Sequence, residues 1–383
     1  MAAIRPGVAV PLGARAAPLE AATGTPLLRV ACTAGFIENR EARGRQGMKA
    51  MILAGGMSTR LYPLTKQVPK PLVPVVGQPN AVHVMRYLAG FGYDQIAINV
   101  HYLADAIAKR LGDGSEFGVR LTYLHESELL GSAGAVKQME SFFDEPFVVV
   151  GCDDLTNFPL DELMAFGAAR SAVATIGLVR TDDVQEYGVV VLDPNGKIVG
   201  FQEKPAPGTE RSNLVNTGIY GFTPEIFRHI AADAFVDFGK NVFPALQTAG
   251  EAFYGFEASE AFWCDIGTIS EYRRATREVL EGKLRLGHSG AMRQPGAKVD
   301  PTVRVEGNAF IGNAVVGAGS LLTGSCVVSD GVHIGANVRL SSSILWEGVT
   351  IGDGAVVEDS ILGLNYRVEA GNEISGQVLA HDC

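Results

Sequence analysis

The amino-acid sequence predicts an α/β fold in which a mostly parallel sheet is followed by a C-terminal parallel β-helix. Three observations support this. Between residues 49 and 283, continuous apolar runs of strand length alternate with helical stretches, as in a parallel sheet covered on both faces. After residue 283, apolar residues recur every six positions, which is typical of a parallel β-helix. The 383 residues are 47% hydrophobic, enough to build more than one buried core.

The first 47 residues are predicted to be a disordered N-terminal extension. They contain six Arg and three Glu but no Ser, and they show no sustained periodicity. They also lack the unbroken apolar stretch of a secretory signal and the serine content of a transit peptide. We expect the α/β domain to span residues 48–285 and the β-helix domain residues 286–383.

The α/β domain is predicted to contain four buried strands separated by four helices. The strands are expected at residues 50–54, 95–100, 147–150 and 174–179, and the helices at 81–91, 104–111, 133–143 and 160–170. A hairpin should follow, with strands 187–192 and 198–202 joined through an Asp-Pro-Asn-Gly turn. The last predicted helix of this domain, residues 270–281, ends at Gly282.

The β-helix domain is predicted from its glycine content and its period. Sixteen of the 46 Gly lie in residues 287–383, often directly after an apolar position. At about 18 residues per turn, the repeat region should form roughly four coils. The residues expected to point inward are Val299, Val305, Ile311, Val316, Leu322, Val328, Ile334, Leu340, Leu345, Ile351 and Val357.

Charge and composition exclude several classes of function. A formal net charge of −10 argues against a nucleic-acid-binding protein or one that binds anionic membranes, because both need a basic face. No run approaches 18 uninterrupted apolar residues, so no membrane span is predicted. The five Cys are irregularly spaced without a CxxC pair, which predicts reduced thiols in a cytoplasmic protein and no zinc cage.

A glycine-containing loop after the first strand is the first candidate binding element. It runs from Leu53 through Gly55-Gly56 to Arg60 and leads to a Pro-Lys-Pro element at Lys70. Two glycines let a backbone approach a polyphosphate, and Arg60 and Lys70 add two positive charges. Two glycines alone would suit a tight turn, but together with these cations they predict phosphate binding. The loop is not a P-loop, since the chain has no Gly-Lys-Ser or Gly-Lys-Thr sequence.

This loop and five further motifs resemble those of the sugar-1-phosphate nucleotidylyltransferases, also called NDP-sugar pyrophosphorylases. The resemblance covers residues 49–283 and keeps the family's motif order. It implies a Rossmann-like nucleotidyltransferase domain and a left-handed parallel β-helix of hexapeptide repeats. The further motifs are Pro69-Lys70-Pro71, Leu130-Gly131-Ser132-Ala133-Gly134-Ala135, Glu203-Lys204-Pro205, Asn216-Thr217-Gly218-Ile219-Tyr220 and Trp263-Cys264-Asp265-Ile266-Gly267-Thr268.

The reaction that the resemblance implies is nucleotidyl transfer from an NTP to a sugar 1-phosphate, which releases pyrophosphate. Such in-line attack at phosphorus needs positioning and neutralisation of charge rather than a protein nucleophile. By resemblance, Arg60, Lys70 and Lys204 are the catalytic residues. The nucleotide would be bound by Leu53, Gly55, Gly56, Ser58, Thr59, Gly131, Ser132 and Gly134, and the sugar phosphate by Gly188, Glu203, Lys204 and Asn216.

The resemblance also implies a Mg²⁺ cofactor held by Asp153 and Asp265, since divalent cations of this kind prefer oxygen ligands. The local sequence departs from the family pattern by having Cys152 where Gly is usual. It also places Asp154 beside Asp153. We expect Asp153 to face the metal and Asp154 to act as a turn former.

The substrate pair is left open between several members of this family. Residues 99–103, 117–119 and 131–134 most resemble bacterial mannose-1-phosphate guanylyltransferases, which favours GTP and mannose 1-phosphate. Glucose-1-phosphate thymidylyl-, uridylyl- or adenylyltransferase is the alternative. The Gly-Leu-Ala-Gln loop typical of thymidylyltransferases is missing, which counts against that branch.

Two other classes of function compete with this one. A bifunctional acyltransferase would need a catalytic His in the β-helix, where the hexapeptide run offers only His333. A non-catalytic regulatory subunit would have no physical need for Arg60, Lys70, Asp153, Lys204 and Asp265 together. The flat sides of the β-helix are instead expected to bury apolar area between subunits, which predicts a homo-oligomer.

Overall fold

A computed structural model describes residues 47–286 and 293–381, so residues 1–46 of the predicted extension lie outside the described chain. The first part forms the strands β1 Met48–Leu53, β2 Pro74–Val75, β3 Gln78–Pro79, β4 Tyr93–Val100, β5 Arg120–His125, β6 Phe147–Gly151, β7 Asp154–Thr156, β8 Ala174–Arg180, β9 Gly188–Leu192, β10 Ile198–Glu203, β11 Leu214–Phe222, β12 Phe253–Glu257 and β13 Trp263–Asp265. Its α-helices are α1 Asn80–Gly90, α2 Ala104–Leu111, α3 Gly131–Gln138, α4 Leu160–Ala168, α5 Phe243–Ala249 and α6 Ile269–Leu280.

The central sheet has nine strands, in the order β10-β9-β11-β6-β1-β4-β5, with β8 paired to β11 and β12 paired to β8. The predicted strands β6, β1 and β4 are parallel, and so is β5, which was not predicted. The fourth predicted strand, β8, is antiparallel to its neighbour β11. Strand β11 pairs antiparallel with β6, β8 and β9, and so attaches the hairpin β9–β10 to the parallel half. Ala50, Met51 and Ile52 of β1 are completely buried, because helices cover both faces of this strand.

The register of β1 and β6 determines where the candidate site forms. The two strands are parallel, and Leu53 lies opposite Gly151, where each strand ends. The glycine-containing loop and the segment with Asp153 therefore leave the sheet at the same carboxyl edge, the edge at which open α/β sheets bind ligands. The backbone N–H of Cys152 donates to Leu53 O at 3.0 Å, and this hydrogen bond joins the two segments where they leave the sheet.

Most predicted elements agree with the structure to within one or two residues, and α2 agrees at both ends. The helix predicted at residues 133–143 is an exception, since α3 ends at Gln138 and a 3-10 turn, Glu140–Phe142, follows. This tighter turn lets Phe143 stack on Phe147, with ring centroids 4.0 Å apart. No helix among the described residues is both long and apolar enough to cross a membrane.

The C-terminal part is a parallel β-helix, as predicted, with strands β14 Lys298–Val299, β15 Arg304–Ile311, β16 Val315–Val316, β17 Leu321–Val328, β18 His333–Ile334, β19 Arg339–Ser341, β20 Ile344–Leu345, β21 Thr350–Ile351, β22 Val356–Glu358, β23 Ile361–Leu362, β24 Arg367–Val368, β25 Glu373–Ser375 and β26 Val378–Leu379. One side is the five-stranded parallel sheet β14-β16-β18-β21-β24. The described residues of this domain therefore form five coils, against the roughly four predicted, because the repeat continues through Leu362 and Val368.

One residue expected to point into the β-helix is exposed. Val305 keeps the predicted register, since it pairs with the buried Leu322, yet it is 46% exposed. The reason is its position in the first coil of the described stack, where no described coil lies above it.

The α/β domain and the β-helix share one buried apolar cluster, and residues from 47 onward form one compact unit. From the β-helix, Phe310 and Trp346 join this cluster, and from the α/β domain it includes Val75 and Tyr272 of helix α6. The boundary between residues 285 and 286 stays a prediction.

Candidate active site

The loop after β1 is shaped by neighbouring polar side chains. The backbone N–H of Ala54 donates to Asn99 Oδ1 at 2.8 Å. A Cβ on Gly55 would lie only 2.7 Å from Asn99 Nδ2, so this position has no room for a side chain. Gly56 is exposed, and a Cβ there would meet nothing within 4 Å. Gly55 is therefore required by the packing of the protein itself, whereas the space beside Gly56 is open to a ligand.

A buried polar pair that was not predicted from the sequence connects the two predicted nucleotide loops. Asn99 Nδ2 donates to Glu126 Oε2 at 2.6 Å, and Glu126 Oε1 accepts from the backbone N–H of Leu130 at 3.2 Å. Asn99 lies in β4 and Glu126 follows β5, at the same sheet edge as the loop after β1. Two polar residues near the ends of adjacent strands were the available signal.

The second predicted nucleotide loop begins helix α3 and is held by the segment before α5. Gly131 has φ +76°, and a Cβ there would lie 2.5 Å from Val236 O. The backbone N–H groups of Ala133 and Gly134 both donate to Val236 O at 3.0 Å. Ser132 Oγ donates to Asp237 Oδ2 at 2.9 Å. The hydroxyl of Ser132 is thus engaged within the protein.

A compact cluster of opposite charges lies at the carboxyl edge of the sheet. Lys70 Nζ forms a short ion pair with Asp153 Oδ2 and lies 3.7 Å from Asp265 Oδ1. Strands β7 and β13 pair antiparallel, and the backbone N–H of Ile266 donates to Asp153 O at 3.1 Å. This pairing brings together two carboxylates that are 112 residues apart in the sequence.

Burial and mutual charge shift the pKa values in this cluster. Burial and the charge of Asp153 raise the pKa of Asp265 to about 7. Burial alone would raise the pKa of Asp153 as well, but Lys70 holds it below its usual value. Burial would lower the pKa of Lys70, yet the two carboxylates raise it above its ordinary range. Asp265 Oδ1 is buried and makes no hydrogen bond, so this site has an oxygen available for a further cation.

The carboxylates at this site fit a divalent cation whose remaining ligands would come from the substrate. Asp153 and Asp265 offer carboxylate oxygens, the ligands that Mg²⁺ prefers. Asp154 is engaged elsewhere, since it accepts from Gly151 N at 3.0 Å and from Trp263 Nε1 at 3.1 Å. Within residues 47–286 and 293–381 no group of three His, Cys, Asp or Glu side chains is placed to hold a metal ion. Two carboxylates would need substrate phosphate oxygens to complete the coordination.

Arg60 lies at the same cluster. A Cβ on Gly267 would be 3.1 Å from Arg60 Nη2, which places the guanidinium against the turn that follows Asp265. The positive charge of Arg60 also opposes the rise in the pKa of Asp265, whose main cause is burial. The structure therefore brings together Arg60, Lys70, Asp153 and Asp265.

The predicted sugar-phosphate residues lie on the antiparallel half of the sheet. Gly188 pairs with Glu203, and a Cβ on Gly188 would lie 3.2 Å from Glu203 Oε2. Lys204 follows β10 with φ +46°, and its Nζ lies 3.7 Å from Glu186 Oε2 with half of the side chain exposed. The ammonium group of Lys204 is therefore paired with Glu186 rather than with the carboxylates that Lys70 contacts.

Asn216 shapes an irregularity in β11. Its Oδ1 accepts from Gly218 N at 2.9 Å, and its Nδ2 donates to Tyr220 Oη at 3.0 Å. The register of β11 against β8 shifts between Asn216 and Tyr220, and Gly218 has φ +80°. A Cβ on Gly218 would lie 3.7 Å from Asp154 Oδ2, so this bulge reaches residues 151–154, the segment with Asp153 that forms the metal loop of the predicted Mg²⁺ site.

The segment before α5 links the two halves of the site and was not predicted. Besides Ser132, Asp237 contacts the backbone N–H of Lys240 at 3.1 Å. A Cβ on Gly239 would lie 3.1 Å from Glu203 Oε2 and 3.5 Å from Asp237 Oδ1, which places Asp237 between the nucleotide loop and the sugar-phosphate residues. Burial and then the charge of Asp237 raise the pKa of Glu203. In the sequence, its only signal was an Asp before an aromatic and a Gly.

Comparison with known proteins matches both parts of the chain. The family model "Nucleotidyl transferase" matches residues 49–282, and the model "GMPPB C-terminal domain" matches residues 305–383. A UTP–glucose-1-phosphate uridylyltransferase of Synechocystis sp. is 34% identical over 364 residues, 88% of this chain and 92% of that protein. A mannose-1-phosphate guanylyltransferase of Mycobacterium tuberculosis is 30% identical over 312 residues, covering 81% and 82% of the two chains.

A solved structure resembles part of the chain. The HddC protein of Yersinia pseudotuberculosis, crystallised with GMP-PN, has a TM-score of 0.53 and 25% identity, covering 61% of this chain and 99% of that one. Together with the family match over more than half of the chain, these likenesses agree with the motifs and with the assembled charge cluster. The chain belongs to the nucleotidyl transferase family, as one of its sugar-1-phosphate nucleotidylyltransferases.

Proposed function

We propose that this enzyme uses GTP and mannose 1-phosphate to make GDP-mannose and pyrophosphate. The observation that carries the reaction is the cluster of Arg60, Lys70, Asp153 and Asp265 beside the glycine-containing loop. The substrate pair is supported by the mannose-1-phosphate guanylyltransferase of M. tuberculosis and by the match of the C-terminal part to the GMPPB C-terminal domain. Uridylyl transfer to glucose 1-phosphate is the second candidate, since the Synechocystis relative has that name.

In this proposal the protein positions and neutralises two phosphate groups. The nucleotide lies along Leu53, Gly55, Gly56, Ser58 and Thr59 on one side and Gly131, Ser132 and Gly134 on the other. Asp153 and Asp265 hold Mg²⁺, which when bound withdraws charge from the phosphate oxygens. Arg60 and Lys70 stabilise the negative charge that builds up on the leaving pyrophosphate.

The sugar 1-phosphate is oriented for in-line attack by residues of the antiparallel half. Glu203 accepts hydrogen bonds from sugar hydroxyl groups, and Gly188 lets the sugar ring come close to the backbone. The half-exposed Lys204 exchanges Glu186 for the sugar phosphate when substrate binds. Asn216 acts by maintaining the bulge that carries Gly218 toward Asp154.

The substrate proposal is tested by pyrophosphate release. GTP, UTP, dTTP and ATP are each paired with mannose 1-phosphate and glucose 1-phosphate, with and without Mg²⁺. We expect the highest kcat/KM for GTP with mannose 1-phosphate and no turnover when EDTA removes the metal. Highest kcat/KM for UTP with glucose 1-phosphate would replace the proposed pair with the second candidate. Full turnover in EDTA would contradict the metal assignment.

Gly56→Ala tests the nucleotide loop. A Cβ at residue 56 meets no protein atom within 4 Å, so the free energy of unfolding should change little. A phosphate lying against this backbone would be displaced, and the KM for the nucleotide should rise about tenfold, equivalent to about 1.4 kcal/mol of binding. Gly90→Ala is the matched control, because that position is equally open and lies at the end of α1. An unchanged nucleotide KM in Gly56→Ala would remove this loop from the binding site.

We also propose that the enzyme is a cytoplasmic homo-oligomer assembled through the β-helix. The three described cysteines, Cys152, Cys264 and Cys326, are free and buried, as in a reducing compartment. Parallel β-helices present flat sides that suit self-association. Light scattering should give at least twice the chain mass of 40.5 kDa, and a monomeric mass would remove the assembly proposal.

A further inference from the structure

A short hairpin stands between the catalytic cluster and the β-helix. It consists of β2 and β3, residues Pro74 to Pro79. Lys70, which pairs with Asp153, lies four residues before the hairpin, and Asn80 follows it directly. Residues that touch the metal loop thus lie on both sides of the hairpin in the sequence, so a shift of the hairpin would move both of them.

Asn80 binds the backbone on each side of Asp153. Its side chain is completely buried, and Nδ2 donates to Cys152 O at 2.8 Å and lies 3.5 Å from Asp154 O. Carbonyl oxygens only accept, so the amide nitrogen must face them. The backbone N–H of Asn80 donates to Val73 O at 3.0 Å, across the base of the hairpin. Asn80 therefore connects the hairpin to the peptide groups that orient the Asp153 carboxylate.

The other side of the hairpin is held by helix α6 and the β-helix. Tyr272 Oη donates to Pro74 O at 2.6 Å and accepts from Trp346 Nε1 at 2.9 Å. Both aromatic side chains are fully or almost fully buried. At the hairpin tip, Gly77 has φ +78°, and a Cβ there would lie 2.5 Å from the ring of Phe310. Phe310 of the β-helix thus packs at the hairpin tip, and Trp346 is connected to the hairpin through Tyr272.

We propose that the β-helix positions the metal loop through this hairpin, with Trp346, Tyr272 and Asn80 as positioning residues for Asp153. The path consists of direct contacts, from Trp346 to Tyr272, to Pro74, along the hairpin to Asn80, and to the carbonyl groups of Cys152 and Asp154. This proposal rests on the proposed function only in that Asp153 is taken to hold the cation. It gives the C-terminal domain a part in catalysis beyond assembly.

The test compares Tyr272→Phe with Tyr123→Phe in the full-length protein. Both substitutions remove a hydroxyl that donates to a backbone carbonyl, Pro74 O in one case and Gly112 O at 2.7 Å in the other. Tyr123 lies in β5, away from the hairpin, so it controls for the general loss of such a bond. Hydrogen–deuterium exchange is followed on the peptide covering residues 150–156 without metal or nucleotide, and kcat and KM are measured separately.

We expect Tyr272→Phe to speed exchange in residues 150–156 and to lower kcat about 10- to 100-fold. The KM for both substrates should stay within about twofold, because the nucleotide loop is not displaced. Trp346→Phe should change both quantities in the same direction but less, since Tyr272 keeps its bond to Pro74. Tyr123→Phe should leave exchange in residues 150–156 and kcat unchanged.

Faster exchange confined to the hairpin and the β-helix, with kcat within about twofold of the wild type, would overturn the proposal and leave these contacts as domain packing alone. The proposal is also overturned if Tyr123→Phe speeds exchange in residues 150–156 as much as Tyr272→Phe does. The exchange measurement needs neither substrate nor metal. It therefore still decides whether the β-helix orders this loop if the enzyme is found to use another substrate pair.

Discussion

Asp153→Asn is expected to abolish pyrophosphate release while the protein stays folded. The amide has the shape of the carboxylate but lacks its charge, so it cannot neutralise a divalent cation or pair with Lys70. Loss of one of two carboxylate ligands should lower kcat by about 10³-fold or more. Pyrophosphate release measures the first effect, and circular dichroism with thermal unfolding measures the second.

The neighbouring Asp154 supplies the control for this prediction. Burial raises the pKa of Asp154 well above its usual value, and its two oxygens accept from Gly151 N and Trp263 Nε1. Asp154→Asn would retain only one acceptor, so it should lower the free energy of unfolding by about 1 kcal/mol. It should reduce activity much less than Asp153→Asn does. Near-normal turnover in Asp153→Asn, or a larger loss in Asp154→Asn, would mean that the metal ligand has been assigned to the wrong carboxylate.

Much of the fold could be predicted because its signals are periodic. The strand predicted at residues 50–54 is a continuous apolar run that the structure extends back to Met48, and the six-residue recurrence locates the β-helix coils from Ile311 onward. The exposure of Val305 could not be predicted from that period, since the recurrence gives the direction of a side chain but not whether a further coil covers it.

The candidate site was predictable only in part, because its residues meet through long-range contacts. The parallel register of β1 and β6 brings the carboxyl ends of both strands to one edge of the sheet, so a site at that edge could be expected. The meeting of Lys70 with Asp153 depends further on the path of the chain after β1. The engagement of Ser132 by Asp237, 105 residues away, depends on how the segment before α5 packs. No local sequence pattern predicts such a contact.

The contacts of the hairpin could not be predicted from the sequence either. Pro74–Pro79 contains no motif, and its importance comes from contacts with residues far along the chain, with Tyr272 directly and with Trp346 through Tyr272. The side-chain amide of Asn80 was likewise invisible, since an Asn near a helix start usually suggests a cap. Here it binds carbonyl groups of another segment instead.

Lys70→Met is expected to reduce both activity and stability, with a loss of stability that depends on pH. Lys70 is the counter-ion of two buried carboxylates and, in the proposed mechanism, one of two cations facing the leaving group. Removing it should lower kcat about 10²- to 10³-fold. Near neutral pH, it should also cost about 3 kcal/mol of stability, as when one partner of a buried ion pair is removed. Lys66→Met, at an exposed position in the preceding turn, is the matched control.

The pH dependence follows from the direction of the pKa shifts. In the wild type, Lys70 holds the pKa of Asp153 below its usual value, so Asp153 adds stability above its unfolded pKa, and this is lost as pH falls. Without Lys70, burial and the second carboxylate should raise that pKa above the unfolded value. Folding is then favoured only while the carboxyl stays protonated, and is penalised as pH rises. Lys70 also lowers the pKa of Asp265, which is about 7 in the wild type, so without Lys70 that pKa should be higher and Asp265 should ionise only at higher pH.

The difference in Tm between wild type and Lys70→Met should therefore be small near pH 4.5 and grow toward pH 8. Mg²⁺ should restore part of the lost Tm at pH 8, because a cation bound by Asp153 and Asp265 replaces the missing charge. It should not restore turnover, because the positive charge facing the leaving pyrophosphate stays missing. An equal Tm deficit at both pH values would show that Lys70 stabilises the fold by packing. In that case the charge balance around Asp153 would not be what holds this site together.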